Sequence, residues 1–592
     1  MPVSDTEIRE VMWDVFPKRE EGYREHQESS ILKIVKAWLS GKKFVTLGAS
    51  TGFGKSVAAY TAIKTIHHFD RGYREDPETE KSTRQYNGPY GLISVHTRAL
   101  QIQYAKTFPD IPNIWSGSNY TCAVSPLDNE MYWGCGECPK KRCVKYDACD
   151  YANSVRHFMQ SDFGITNYAY YLHAPFLSPF VSVIDECHNL ETILCDWSTI
   201  ELSTRFLTQI LLRLVRLEML TSSKADDLQG LIRSVIFIND KRNDWLDELH
   251  TLTCEIERLL LPIYLSVNKE METVKSSFDD PKTLTEGQRA HLQFLERSYR
   301  YFRNLIQKLK PIHVLETEWV ISSQTDEENK EGRLYPKVDI KPLYINEISN
   351  IKLFQNSEYF LFMSATPGAP SVFTKYLGIP TEKSAFFQVP STFPVENRPV
   401  YVLTDIGKFT YKNKEEVRPL FTHIIDVLLK DHFPNVRGII HSVSYENADY
   451  IQKNSTQLER LRFPKSEDLL EIFKILEERE DTVVVSPTVV EGHDLKDDLC
   501  RFAIFMKVPW QSLGDKWIKA RSKDDLWYAQ QAITKLIQGS GRGTRSEQDH
   551  STTVVIDAKF VDLWRTYKQM FPKWYSDSVQ FMTKDGGNIH IK

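Results

Sequence analysis

Runs of apolar residues that do not alternate with polar ones recur along the chain, at 44–47, 91–96, 180–185, 359–365, 436–443, 481–487, 500–506 and 552–557. Continuous runs of this length suit parallel strands buried on both faces, with helical or loop segments between them. Two stretches break the rhythm. Residues 115–160 are crowded with cysteine, and residues 196–312 lose every strand signal. In the second stretch Phe206, Ile210, Leu214 and Leu217, then Leu249, Leu252, Ile256 and Leu259, then Leu295, Tyr299, Phe302, Ile306 and Leu309 follow three- and four-residue spacing. That spacing predicts amphipathic helices and an inserted helical domain. The polar segment 323–334, SSQTDEENKEGR, reads as an exposed loop, after which a β-like segment at 338–345 leads back to the α/β layer.

Composition narrows the class. With 41% hydrophobic and 26% charged residues over 592 positions, the chain is globular and long enough for three to four domains. Its apolar runs fall far short of the ~20 residues of a membrane span, and the opening MPVSDTEIREVMWDVF is acidic where a secretion signal would be basic. A cytoplasmic protein without membrane contact is expected. Lys+Arg 74 against Asp+Glu 79 leaves a net charge of −5, so a nucleic-acid partner would have to be held by a local basic surface. Of nine cysteines, Cys122, Cys135, Cys138, Cys143 and Cys149 fall within 28 residues, which points to a metal or an iron–sulfur centre.

The chemistry starts at residues 44–56, FVTLGASTGFGKS, the strand–turn–helix order of a phosphate-binding loop. In Ala49-Ser50-Thr51-Gly52-Phe53-Gly54-Lys55-Ser56 the glycines let backbone N–H groups close around phosphate oxygens at a helix N-terminus. Lys55 reaches the terminal phosphates and Ser56 can hold Mg²⁺. The apolar run ending in Asp185-Glu186-Cys187-His188 supplies the matching acids, Asp185 for Mg²⁺ and Glu186 to activate the attacking water. Further on come Ser364-Ala365-Thr366, Glu491-Gly492-His493-Asp494 and Gln538-Gly539-Ser540-Gly541-Arg542-Gly543-Thr544-Arg545.

Taken in order with Tyr23-Arg24…Gln27 and HTRALQ (96–101), these motifs resemble the XPD/DinG family of superfamily 2 iron–sulfur DNA helicases, most closely the DinG branch, in a compact form that fits a phage or mobile-element version. The resemblance covers nearly the whole chain. It implies an α/β fold of two RecA-like parallel-sheet motor domains, the first carrying an iron–sulfur insertion and a helical, arch-like insertion. The implied division is motor domain 1 at 1–114, 161–195 and 313–395, iron–sulfur domain at 115–160, arch at 196–312 and motor domain 2 at 396–592. It also implies roles. Gln27 reads adenine, Ser364 and Thr366 couple nucleotide to the bound strand, and Glu491, Gly492 and Asp494 sense ATP. Arg542 and Arg545, three residues apart, neutralise transition-state charge beside Gln538. Lys55, Asp185, Glu186, His188, Arg542 and Arg545 form the expected catalytic set. Ala49, Thr51, Gly52, Gly54 and Ser56 cradle ATP.

For the cysteines the resemblance implies a [4Fe–4S] cluster on Cys122, Cys138, Cys143 and Cys149. The C-x2-C pair Cys135/Cys138 leaves open a quartet that includes Cys135, and a zinc site is the rival chemistry. Lys140, Lys141, Arg142 and Lys145 provide a local phosphate-attracting patch beside them. Arg297, Arg300 and Arg303, and Lys516, Lys519, Arg521 and Lys523, could track a phosphate backbone, although such a run is more often simply a solvated face. Tyr120, Trp133, Tyr146 and Tyr151 could stack on bases, with packing around a cluster the commoner use.

The function expected is an ATP-dependent DNA helicase, a monomer moving 5′ to 3′ on single-stranded DNA and opening forked duplex, with DNA repair among its settings. The alternative is a nucleic-acid-stimulated ATPase that clears RNA–DNA hybrids or bound proteins, or senses redox state or damage, without unwinding. A fused nuclease is disfavoured, because the few residues before Tyr23 hold no carboxylate cluster for two metals.

Overall fold

The computed structural model describes the chain apart from residues 1–2, 19, 51, 75–85, 121–147, 175, 278–283, 329–331, 465–473, 489–496, 541–548 and 584–592. One lobe is built on six parallel strands, β1 (Phe44–Gly48), β2 (Gly91–Val95), β3 (Phe163–Asn167), β4 (Val181–Asp185), β8 (Tyr359–Ser364) and β9 (Ser384–Gln388). Their order is β3-β2-β4-β8-β1-β9. Alternate residues of these strands enter two different cores. Val45, Leu47, Leu361 and Met363 pack with Ile31, Val35, Ala58 and Ala62 of the helices Gln27–Leu39 and Lys55–Arg74. Phe44, Ile184, Phe360 and Phe362 pack on the other face with Leu190, Leu194, Phe373 and Leu377. Burial of both faces is the reason the apolar runs do not alternate.

A second sheet of seven parallel strands carries the other lobe: β10 (Val400–Leu403), β11 (Gly438–His441), β12 (Leu461–Arg462), β13 (Val483–Ser486), β14 (Phe502–Phe505), β15 (Thr552–Val555) and β16 (Val579–Met582). They run β12-β13-β11-β14-β15-β10-β16.

Between β4 and β8 the chain leaves the first sheet and forms the helices Thr204–Arg216, Ser222–Ile236, Trp245–Ser276 and Glu286–Val314. Their apolar faces, with Leu211, Ile256 and Phe302, close on a small antiparallel sheet of β5 (Ile200–Ser203), β6 (Trp319–Glu328) and β7 (Leu334–Pro342), ordered β5-β7-β6. Two expectations are corrected here. The stretch 196–312 does contain a strand, β5, whose four residues are too few to show a pattern. The segment from Ser323 to Glu328, expected as loop, continues β6. Only Trp319 and Ile321 of β6 are buried apolar residues, so its outer half holds its place through the backbone ladder to β7 and through polar contacts. In one of these, Glu327 accepts from Ser203 Oγ at 2.9 Å and pairs with Arg205 at 2.6 Å.

Candidate functional site

Strand order places three motifs side by side. β8 lies between β4 and β1, so Asp185, Ser364 and Gly48 end neighbouring strands, with Gly48 opposite Ser364 and the Ala49 N–H donating to the Ser364 carbonyl at 3.0 Å. Past Gly48 the chain turns through Gly52 (φ +84°) and Gly54 (φ +83°), left-handed geometry that L side chains rarely adopt, and enters the 20-residue helix at Lys55. A Cβ at Gly54 would also stand 2.7 Å from Gln27 Nε2. The free N–H groups of the first turn make this an anion site, and that turn holds no acidic residue. Lys55 Nζ donates to the Ala49 carbonyl at 3.3 Å, so its charge stays inside the loop.

Gln27 clamps the loop from behind. Buried at the start of its helix, it donates through Nε2 to the Phe53 and Gly54 carbonyls (3.2 and 3.3 Å) and accepts from the Arg24 N–H (3.2 Å). Arg24 also bonds the Gly52 carbonyl. Arg24 and Gln27 line the cleft, whereas Tyr23 packs its ring on Phe16 and Trp13.

Asp185 is buried and held on three sides. Tyr104 donates its hydroxyl to Oδ2 at 2.7 Å, the Glu186 N–H donates to Oδ1 at 3.0 Å, and Tyr168 donates to the Asp185 carbonyl. Burial, then repulsion from Glu186, pushes the Asp185 pKa up to about 6 against the opposing pull of Lys55 and Tyr104. A cation at this carboxylate would relieve both effects, so the donor set of Asp185 and Ser56 fits a hard divalent ion. Burial raises Tyr104 and Tyr168 well above the usual phenol range, which keeps both as donors. Neither tyrosine is legible in the sequence as a partner of Asp185. Tyr104 follows HTRALQ on the helix Arg98–Thr107, the one signal that could have found it.

Glu186 sits at φ +55°, turned away from its strand. From it a polar chain crosses to the other lobe. The Ser364 hydroxyl donates to Glu186 Oε2 (3.4 Å), and His188 Nδ1 lies 2.8 Å from Ser364 Oγ and 3.3 Å from Glu186 Oε2. Gln538, near the end of the helix Asp525–Ser540, brings its amide nitrogen to His188 Nε2 and to Thr366 Oγ1 (3.4 Å). Donation from Gln538 to Nε2 assigns the His188 proton to Nδ1, so the hydrogen bonds run in one direction from Gln538 through His188 and Ser364 to Glu186. Phosphate loop, acids and Gln538 enclose a cleft of about 770 Å³, whose far wall adds Arg398, Thr553, Trp574 and Tyr575, none of them singled out by motif.

A second contact joins the lobes. Arg521 is buried, pairs with Glu191 at 2.6 Å, and lies over the rings of Tyr376, Tyr344 and Trp527 at 4.2, 4.7 and 5.0 Å. Trp527 Nε1 donates to the same carboxylate at 3.0 Å. Arg521 therefore does not belong to a strand-tracking basic face, and Lys516 of that run pairs with Asp240 of the helical insertion at 2.9 Å. Arg297 and Arg303 are exposed.

Thr51, Glu491, Gly492, Asp494, Arg542 and Arg545 lie outside the described residues, as do Cys122, Cys135, Cys138 and Cys143, Lys140, Lys141, Arg142 and Lys145, and Trp133 and Tyr146. Cys149 is described, half-buried at the N-terminus of the helix Asp150–Gln160, and Tyr120 packs edge-on against Tyr151 at 5.3 Å.

Residues 433–578 match a helicase C-terminal domain family. The 3'-5' exonuclease DinG of Staphylococcus aureus strain MSSA476 is 21% identical over 369 residues, 58% of this chain and 39% of the relative, so the match spans about two fifths of that protein's length. Among solved structures, an XPD helicase superposes with TM-score 0.56 at 14% identity, covering 95% of this chain and 100% of that one. S. tokodaii Xpd4 superposes with TM-score 0.54 at 12% identity, over 94% and 100%. Two RecA-like lobes, the ordered motifs and these likenesses converge: the chain is similar to XPD/DinG-like helicases, with a helicase C-terminal domain match in its second lobe and the fold of XPD helicases.

Proposed function

We propose that this protein is an ATP-driven helicase that moves 5′ to 3′ along single-stranded DNA and parts duplex ahead of it. The observation that carries this reading is the convergence of Lys55, Asp185, Glu186 and Gln538, from two lobes, on one cleft. ATP would lie with its phosphates on the turn before Lys55, and Mg²⁺, held by Ser56 and Asp185, would neutralise charge on them. Glu186 orients and deprotonates the attacking water, and Arg542 and Arg545 stabilise the departing phosphate's charge from the second lobe. The Gln538–His188–Ser364–Glu186 chain makes the base sensitive to lobe closure, which is how hydrolysis becomes coupled to movement.

The domain division given above belongs to the same reading, as does a [4Fe–4S] cluster on Cys122, Cys138, Cys143 and Cys149, with Cys135 as substitute. The cluster would supply a rigid cross-link of residues 115–160. A monomer acting on forked DNA follows.

A strand-displacement assay on forks with 5′ or 3′ tails, beside an RNA–DNA hybrid, tests the proposal. ATP-dependent opening of the 5′-tailed DNA fork is expected. Stimulated ATPase without displacement of either DNA fork would overturn it, in favour of a motor that clears RNA–DNA hybrids where the hybrid opens and of one that clears bound proteins where it does not.

A further inference from the structure

The helical insertion holds a cluster of side chains that the motor does not use. His250 and Cys254 are four residues apart on the helix Trp245–Ser276, so one turn brings them to the same face. His313, at the end of the helix Glu286–Val314, faces them from the adjacent helix. Cys254 Sγ is 3.2 Å from His313 Nδ1, the His250 and His313 rings stand 5.1 Å apart and nearly perpendicular, and one donor atom from each of the three side chains lies within 4.8 Å of the others.

Around a tetrahedral zinc ion, bonds of about 2.0–2.3 Å put nitrogen and sulfur donors roughly 3–4 Å apart. The Cys254–His313 separation already matches, and the exposed side chains of His250 and Cys254 can turn to close the remainder. The outer side of His313 is prepared as well. Its Nε2 is buried, without a hydrogen-bond partner, and faces Glu257 Oε2 at 3.5 Å. A carboxylate behind the ring nitrogen that points away from the metal fixes the tautomer that leaves Nδ1 free to coordinate.

We propose that His250, Cys254 and His313 bind a thiophilic divalent ion of the zinc class, with water at the fourth position and Glu257 positioning His313. The ion cross-links helices of 32 and 29 residues where the second ends, and so stiffens the insertion. Two imidazoles and one thiolate favour zinc over magnesium or calcium, which take oxygen donors.

The full chain, stripped of loosely held metal, is titrated with Zn²⁺ and with Co²⁺ as spectroscopic probe. Because the cysteine-rich segment also offers thiolates, the readout is the difference between wild type and variants. Cys254→Ser and His250→Asn should each bind about one equivalent of Zn²⁺ less than wild type, and the Co²⁺ form of Cys254→Ser should lack part of the thiolate charge-transfer absorption. Glu257→Gln should keep the stoichiometry and weaken affinity about 10–100-fold. Hydrogen exchange at residues 245–276 should slow on adding Zn²⁺ in wild type and not in His250→Asn. Equal zinc content and equal Co²⁺ spectra in wild type and both ligand variants would overturn the site.

Discussion

The Arg521 contact between the lobes is a buried charge sealed among three aromatic rings, whereas the Gln538 contact is two neutral hydrogen bonds, to His188 and Thr366, on the wall of the cleft. Removing one partner of the first leaves the other's charge buried and uncompensated, which costs about 3–5 kcal/mol. Breaking the second exchanges hydrogen bonds worth about 1 kcal/mol each for bonds to water. The two contacts between the lobes therefore differ severalfold in what their loss costs. The cheap contact is the one wired to Glu186.

Arg521→Ala attacks the buried contact and has the largest expected effect on folding, a loss of about 3–5 kcal/mol in denaturant unfolding, because Glu191 loses its charged partner and keeps only the Trp527 N–H. Arg521→Lys keeps the charge and loses the planar fork and the stacking, so it should recover only part of that loss. Glu186→Gln leaves both contacts in place and removes the base; ATP should still bind while single-turnover hydrolysis falls about 10²–10⁴-fold. Gln538→Ala removes the cleft contact alone. Unfolding should change by less than about 1 kcal/mol, and stimulation of the ATPase by single strands should drop about fivefold, the equivalent of one hydrogen bond.

The smallest effect is that of pH on the nucleotide-free protein. Asp185 has its folded pKa raised to about 6, so between the ordinary carboxylate range and pH 6 the folded state binds the extra proton. Stability contributed by Asp185 is thus present at low pH and is lost as pH rises through about 6. Asp185→Asn should flatten that slope in thermal melts, and Mg²⁺ binding by wild type should weaken below pH 6.

The motor's first lobe was the most legible part of the chain, because its backbone geometry admits few residue types. Gly52 and Gly54 at positive φ, Lys55 at a helix start and two acids at a strand end leave a local signature. The interior strands of both sheets are apolar throughout for the same kind of reason. Of the strands not expected from the apolar runs, β3, β9, β12 and β16 are the edges of the two large sheets. An edge strand has one neighbour and, in β9 and β16, little burial, so its sequence need not be uniformly apolar. Arg521 misled for the opposite reason. Its basic neighbours Lys519 and Lys523 suggest a solvated run, while the rings that bury it come from Tyr344 and Tyr376, far away in the chain. Tyr104 and Tyr168 meet Asp185 only through the fold of β2, β3 and β4.

Steady-state ATP hydrolysis by wild type and Lys55→Ala, each with and without single-stranded DNA, tests the central claim most directly. The account predicts turnover that rises with DNA in wild type and is abolished in a folded Lys55→Ala protein under both conditions. Unchanged turnover in Lys55→Ala would contradict it.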